Sequence, residues 1–161
     1  PGQGSMGACL KKLSENDLRD ALIFSLKNLP FLGICLGLQI LFSESEESED
    51  EKGLGIFPEK IKKFSEFKDR TIKIPHMGWN QVEFSQSHFI WEGLESSKDF
   101  YFVHSYASKE IDEKYIYSKT FHGESFNSAV AKDNIFATQF HPEKSGKSGL
   151  NLLQNFIDWK I

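Results

Sequence analysis

The sequence predicts a mixed α/β sheet flanked by helices, on three observations. The apolar run Leu29-Pro30-Phe31-Leu32 leads through Gly33-Ile34 into Cys35, and a helical pattern follows at Leu38, Ile40, Leu41 and Phe42. The centre of the chain carries short β-type runs punctuated by Gly, Pro and Asp-Asn turns. The last segment places Leu150, Leu153, Phe156 and Ile157 on one helical face. Helices around short buried strands, with hairpins between them, describe such a sheet.

In chain order, Met6-Gly7-Ala8-Cys9-Leu10 is an apolar helical patch in which Cys9 only packs. Ser14-Glu15-Asn16-Asp17 resembles a capping box, and Leu18, Ala21, Leu22 and Leu26 follow at helical spacing to about Lys27. Residues 30–34 form a strand, and 35–42 start the next helix. The acidic run 43–52 is a solvated helix end and loop. Strands are expected at 56–57, 60–64, 81–84, 100–104, 114–121, 128–132 and 135–140. The turns between them carry Gly53 and Gly55, Pro75 and Gly78, Gly93, Gly123, and Asp133-Asn134. No repeat, linker or second domain interrupts 1–161, so one domain is expected.

At 161 residues, with 39% hydrophobic residues and 15 phenylalanines, the chain can fill a core. Its net charge of −4, from 19 basic and 23 acidic residues without a basic stripe, argues against nucleic acid. The longest apolar run, 29–42, is too short and too interrupted to span a bilayer, and no secretory signal is visible in residues 1–161. Two cysteines make no disulfide framework, and a reducing cytosol suits a free thiol.

Gly33-Ile34-Cys35-Leu36-Gly37-Leu38-Gln39 reads as a strand–nucleophile–helix turn that lifts one side chain out of the backbone. Gly33 and Gly37 remove side chains that would crowd it. Helix-end N–H groups favour a thiolate, so a thiol of pKa about 8.5 would drop by one or more units. The alternative is a small buried hydrophobe. Ala137-Thr138-Gln139-Phe140-His141-Pro142-Glu143 is the second signal. His141 stands at the carboxyl end of a strand, where open α/β sheets build their sites. In an extended segment His141 and Glu143 project to one side, and Glu143 can orient the imidazole. His141 can then take and return a thiol proton. The alternative is a surface His and a solvated Glu. His-x-Glu also occurs in zinc deaminases, but those need a Cys-x-x-Cys pair that Cys9 and Cys35 do not form, so no metal is expected. Oxyanion donors would be the backbone N–H of Leu36 and one from the open turn Gly2-Gln3-Gly4, through Gln3.

The cysteine signature at 33–39 and His141-Pro142-Glu143 resemble those of the class I (triad) glutamine amidotransferases. Further stretches resemble one branch, the glutaminase subunits of imidazole glycerol phosphate synthase. These are Pro1-Gly2-Gln3-Gly4, Gly53-Leu54-Gly55-Ile56, Pro75-His76-Met77-Gly78-Trp79-Asn80, Phe102-Val103-His104-Ser105-Tyr106, and His141–Gly146 running into Gly149-Leu150. The resemblance covers essentially the whole chain. It implies a mostly parallel, flavodoxin-like sheet with added antiparallel strands, and places the family's first strand, first helix and second strand ahead of Pro1. The expectation is therefore an N-terminally incomplete domain. The family's turn often has valine where Gln3 stands; only a backbone N–H is needed there.

The resemblance implies a cytoplasmic glutaminase with Cys35, His141 and Glu143 as triad and no cofactor. Gln39 and Gly2, with the backbone around His104, Ser105 and Tyr106, would hold glutamine. Ammonia would pass to a (β/α)₈ cyclase subunit, HisF, for histidine synthesis. Pro75, His76, Met77, Gly78, Trp79 and Asn80 are the candidate interface. Trp79 reads equally as an interface anchor or a core tryptophan. Two other readings stay open: a paralogue feeding ammonia to another amination, such as surface-sugar synthesis, and a non-catalytic interaction subunit.

Overall fold

The structure is a computed structural model and describes residues 1–2, 4–64 and 72–161. Among the described residues four α-helices, α1 (Met6–Glu15), α2 (Arg19–Asn28), α3 (Leu36–Gln39) and α4 (Gly146–Asp158), accompany nine strands. The strands are β1 (Phe31–Ile34), β2 (Phe42–Ser45), β3 (Phe57–Lys63), β4 (His76–Phe84), β5 (Ser97–His104), β6 (Tyr106–Ser108), β7 (Ile116–His122), β8 (Glu124–Lys132) and β9 (Ile135–Thr138).

All nine form one sheet. A path β2-β3-β6-β8-β7-β4-β5 runs across it, and β9 joins β8 to β1. β8 and β9 are buried almost throughout. Successive side chains on a strand face opposite ways. Thus Phe136, Ala129 and Ala131 join the cluster of Phe100, Phe140 and Leu152 of α4. Ile135, Ala137 and Val130 join Leu26 of α2 and Leu38, Leu41 and Phe42 on the other face. Helices on both faces leave β9 no solvent, which is why its sequence is a continuous apolar run ending in threonine.

The mixed sheet between helices is as expected; its parallel majority is not. Only the β1–β9 and β2–β3 pairs are parallel among the described residues, and the other neighbours are antiparallel. The helix after Cys35 is a single turn, not a run to Phe42. Phe42 instead starts β2, which pairs with Phe57–Ile61 of β3. Strand pairing outcompetes a helical pattern that earns only a few local hydrogen bonds. The acidic run therefore begins as a strand rather than a helix end. The box at 14–17 caps nothing forward. Ser14 lies in the last turn of α1, the Asn16 amide donates to the Lys12 carbonyl at 2.7 Å, and α2 starts on Leu18 without a side-chain cap.

The expected pieces at 56–57 and 60–64 are one strand, β3. Residues 113–115 are a 3₁₀ turn before β7, and β6 was not anticipated. Pro75 and Gly78 do not make a turn. β4 runs through Gly78, which pairs with Phe102 and adopts φ +129, open to glycine.

Candidate active site

β1 and β9 are parallel neighbours in register from Phe31/Ile135 to Ile34/Thr138, and the Cys35 N–H donates to the Thr138 carbonyl at 2.7 Å. Both strands end at the same edge, so the residues just beyond them share one place. Cys35 has φ +53 and ψ −100, a left-handed conformation that a side-chain-bearing residue adopts only under constraint. The constraint is visible at Gly33. A Cβ there would stand 2.6 Å from the Gly37 carbonyl oxygen, so glycine lets α3 close onto β1. Gly37 differs from expectation: a Cβ there meets nothing nearer than 3.9 Å, and the residue contributes its carbonyl rather than a missing side chain.

A cavity of about 360 Å³ opens at this edge. Cys35, Leu36 and Gln39 line it from the nucleophile turn, with Gly2 and Gly4 beside them. Val103, His104, Ser105 and Tyr106 supply the opposite wall, and His141 and Lys144 a third side. The oxyanion donor expected at Gln3 lies outside the described residues. Gly2 and Gly4 on either side of it border the cavity, and Gly2 is so close to Leu36 that a Cβ would come within 3.2 Å of its Cδ2.

His141 and Glu143 meet, but not through an extended segment. Residues 142–144 form a 3₁₀ turn capped by His141, and this turn brings Glu143 Oε1 to 2.6 Å from His141 Nδ1. The backbone of His141 is held by its N–H to the Tyr101 carbonyl at 2.9 Å and by Ser145 Oγ donating to its carbonyl at 2.6 Å. With Nδ1–H given to the carboxylate, Nε2 is left as the base. It is buried and has no hydrogen-bond partner among the described residues. Helix α4 lies against this turn through Gly149, where a Cβ would sit 1.8 Å from the Pro142 carbonyl oxygen. Gly149→Ala is therefore expected to push α4 and the turn apart and to lower stability by at least about 2 kcal/mol in a denaturant titration.

The sulfur is not a ready thiolate, contrary to the expectation from its helix end. Burial pushes the Cys35 thiol up to about 11, and the nearby Glu143 charge adds to this. The Leu36 N–H and the Gln139 amide pull in the other direction without overcoming it. A four-residue helix has little dipole to offer. Sγ lies 4.0 Å from the Val103 carbonyl, its acceptor, and receives Gln139 Nε2 at 3.5 Å. Such a site suits acyl transfer in which the base takes the thiol proton as attack begins.

The class-I glutamine amidotransferase family model matches residues 1–159. The chain belongs to the class-I glutamine amidotransferases. It is 50% identical to the imidazole glycerol phosphate synthase subunit HisH of Nitrosospira multiformis and 48% identical to that of Nitrosomonas europaea. Each match covers 99% of this chain and 77% of the relative. The fold is shared with a crystal structure of a glutamine amidotransferase from Thermotoga maritima, which superposes with a TM-score of 0.60 at 16% identity, over 98% of this chain and 60% of that one.

In this amidotransferase Gln39 is buried, and its Nε2 donates to the Tyr106 carbonyl and to Gln139 Oε1, both at 3.2 Å. Its amide oxygen is the part left for a ligand. Tyr106 O also accepts from His104 Nδ1 at 2.9 Å, and His104 Nε2 pairs with His76 Nδ1 at 2.9 Å. His76 Nε2 in turn meets the Asn80 amide at 3.1 Å. Burial is the main reason that His104 falls to about 3, and His76 and His88 to about 4. Unfolded, these imidazoles take a proton near the ordinary value of about 6.5. The unfolded state therefore binds more protons below that pH, and folding stability falls as pH drops from about 6.5 toward 4, by a few kcal/mol in all. Chemical denaturation at pH 7.5 and 5 is expected to show this loss. Equal midpoints at the two pH values would contradict it.

The expected interface residues divide. Pro75, Met77 and Trp79 are exposed, the latter two at 63% and 58%, so Trp79 is not a core residue. His76 is buried in the histidine chain, and Gly78 and Asn80 are half-buried. Trp79 packs edge-on to Tyr101 at 6.3 Å between ring centres, and Lys144 Nζ lies 5.8 Å from the Tyr101 ring centre.

The sequence reading missed Gln139, Val103, Glu47 and Lys144. Gln139 is fully buried just past β9, and a glutamine inside an apolar strand end was the available signal. Glu47 was assigned to the solvated run, yet it reaches the cavity and receives the Met6 N–H. Val103 acts through its carbonyl, which no side-chain pattern reveals. Among the described residues no group of three or more His, Cys, Asp or Glu could hold a metal ion, and no helix is long and apolar enough to cross a membrane.

Proposed function

We propose that this chain is the glutaminase subunit of imidazole glycerol phosphate synthase, releasing ammonia from glutamine for a cyclase subunit, HisF, in the cytoplasm. The observation that carries the reading is the single cavity onto which Cys35, the His141–Glu143 pair and the Leu36 N-terminal turn converge. Relatives about half identical over nearly the whole chain are named as HisH subunits, and a subunit implies a partner.

The chemistry follows from the groups present. The Cys35 thiol swings from the Val103 carbonyl toward His141 Nε2, which takes its proton as Sγ attacks the side-chain amide carbon. The carbonyl oxygen becomes an oxyanion held by the Leu36 N–H and by a second backbone N–H, which the family resemblance assigns to Gln3. The carbon–nitrogen bond breaks, His141 returns its proton to the nitrogen, and ammonia leaves a glutamyl thioester on Cys35. Water, deprotonated by His141, then releases glutamate and restores the thiol. Glu143 keeps Nδ1–H in place and stabilises the imidazolium. Gln39, Gly2 and the backbone from His104 to Tyr106 hold the amino-acid end. Glu47 contributes a carboxylate to the cavity lining, and it complements glutamine's ammonium.

The exposed Met77 and Trp79 beside the cavity edge supply a docking face for the cyclase. The test is growth of a histidine auxotroph lacking its own glutaminase subunit. Restored growth is expected when this chain is supplied with its cognate cyclase, together with co-purification of the pair. Glutamine hydrolysis without restored growth or a retained cyclase would instead assign the ammonia to another acceptor.

A further inference from the structure

We infer that Gln139 is a further catalytic residue: its side-chain N–H donates to the Cys35 sulfur and stabilises the thiolate formed in attack. The role rests on the reading of Cys35 as nucleophile. The distance is 3.5 Å, and Gln139 is fully buried, with its backbone N–H fixed on the Ser128 carbonyl at 2.8 Å.

Which end of the Gln139 amide faces the sulfur is dictated by its neighbours. A main-chain carbonyl can only accept. The Tyr106 carbonyl therefore requires the nitrogen of Gln39 toward it. The same Gln39 nitrogen lies 3.2 Å from Gln139, and that atom must be an acceptor, the amide oxygen. The NH₂ of Gln139 is left facing Sγ. The same carbonyl orders the other branch. It demands a proton on His104 Nδ1, which makes the neutral ring's Nε2 an acceptor for His76 Nδ1–H. His76 Nε2 then accepts from the Asn80 amide, whose nitrogen also donates to the Phe121 carbonyl at 2.9 Å. No donor faces a donor anywhere along this network, and the orientation of Gln139 is fixed through Gln39 by the Tyr106 carbonyl.

Cys35 is half-buried at the cavity wall, and a sulfur so largely withdrawn from water has few ways to carry negative charge. A backbone N–H from Leu36 and the Gln139 amide are the donors directed at it. A sulfur accepting a fixed, buried N–H gains most when it is charged, as a thiolate, which is the condition for helping catalysis rather than only substrate binding.

The test is site-resolved alkylation by iodoacetamide between pH 7 and 10.5, read by peptide mass spectrometry on the full chain. Gln139→Met keeps the length without the donor, and Gln139→Glu keeps the shape with a repelling charge. The other charged or titratable groups around the cavity, Glu47, His104, Tyr106, His141, Glu143, Lys144 and the Pro1 amine, are unchanged in both. In Gln139→Met the Cys35 profile is expected to move up by about one pH unit, a roughly tenfold slower labelling at a given pH. In Gln139→Glu it moves further. Cys9 labelling and the melting temperature report on folding. A Cys35 profile unmoved or lowered in the variant that stays folded overturns the inference. Alkylation needs neither glutamine nor a partner, so an absent glutaminase activity with a shifted profile would sink the proposed function, and with it the catalytic role, while leaving the stabilisation of the Cys35 thiolate by Gln139 in place.

Discussion

Replacing Cys35 by alanine is expected to lower glutamine hydrolysis by at least about 10³-fold, the scale of losing a covalent nucleophile. The reaction of the assembled synthase fed with ammonium salts is expected to persist. The separation follows from the site. Removing Sγ deletes the atom that forms the thioester but touches no group on the exposed Met77–Trp79 face. It leaves Gln139 and Val103 without their sulfur partner, a local change with little effect on the two main cores. Steady-state assays with glutamine and with ammonia, run on the same preparation, read both halves. Glutamine-dependent turnover surviving the substitution would mean that another group attacks the amide.

The second large effect belongs to His141. His141→Ala removes the base that takes the thiol proton and the acid that returns it, and a loss of about 10²–10⁴-fold in kcat is expected. The high thiol value of about 11 makes this dependence strong. A sulfur already ionised at neutral pH would need no base for attack, whereas a protonated one does. Raising the pH should accordingly recover part of the activity of His141→Ala. Glu143→Gln is expected to be milder. Its oxygen can still accept the Nδ1–H, and the 41% exposure of the Glu143 side chain lets water screen the lost charge.

The sequence made the two strand tips legible because each apolar run stops on a residue with chemistry, Ile34 before Cys35 and the 135–140 run before His141. What followed Cys35 was not legible. The same Leu38, Ile40, Leu41 and Phe42 fit a helix or a turn feeding a strand. Only the pairing of Phe42–Ser45 with β3, residues Phe57–Lys63, selects the second. The sheet's antiparallel majority depends on which strands become neighbours, and local patterns carry no such information. The thiol's direction was misjudged for a related reason. Helix-end polarity can be read locally, but the depth of burial comes from α3 closing on β1 and from the β5 wall at Val103. Gln139 and Glu47 escaped because one resembles an ordinary strand end and the other sits in a run of surface carboxylates.

The central claim is that Cys35 attacks a glutamine-shaped amide with His141 as its base. The direct measurement is trapping with a diazo-ketone analogue of glutamine on the chain bound to the proposed cyclase subunit, followed by peptide mass spectrometry. One adduct is expected, on Cys35, formed far more slowly in His141→Ala and blocked by excess glutamine. An adduct on Cys9, or none on Cys35 with the proposed cyclase subunit present, would contradict the account.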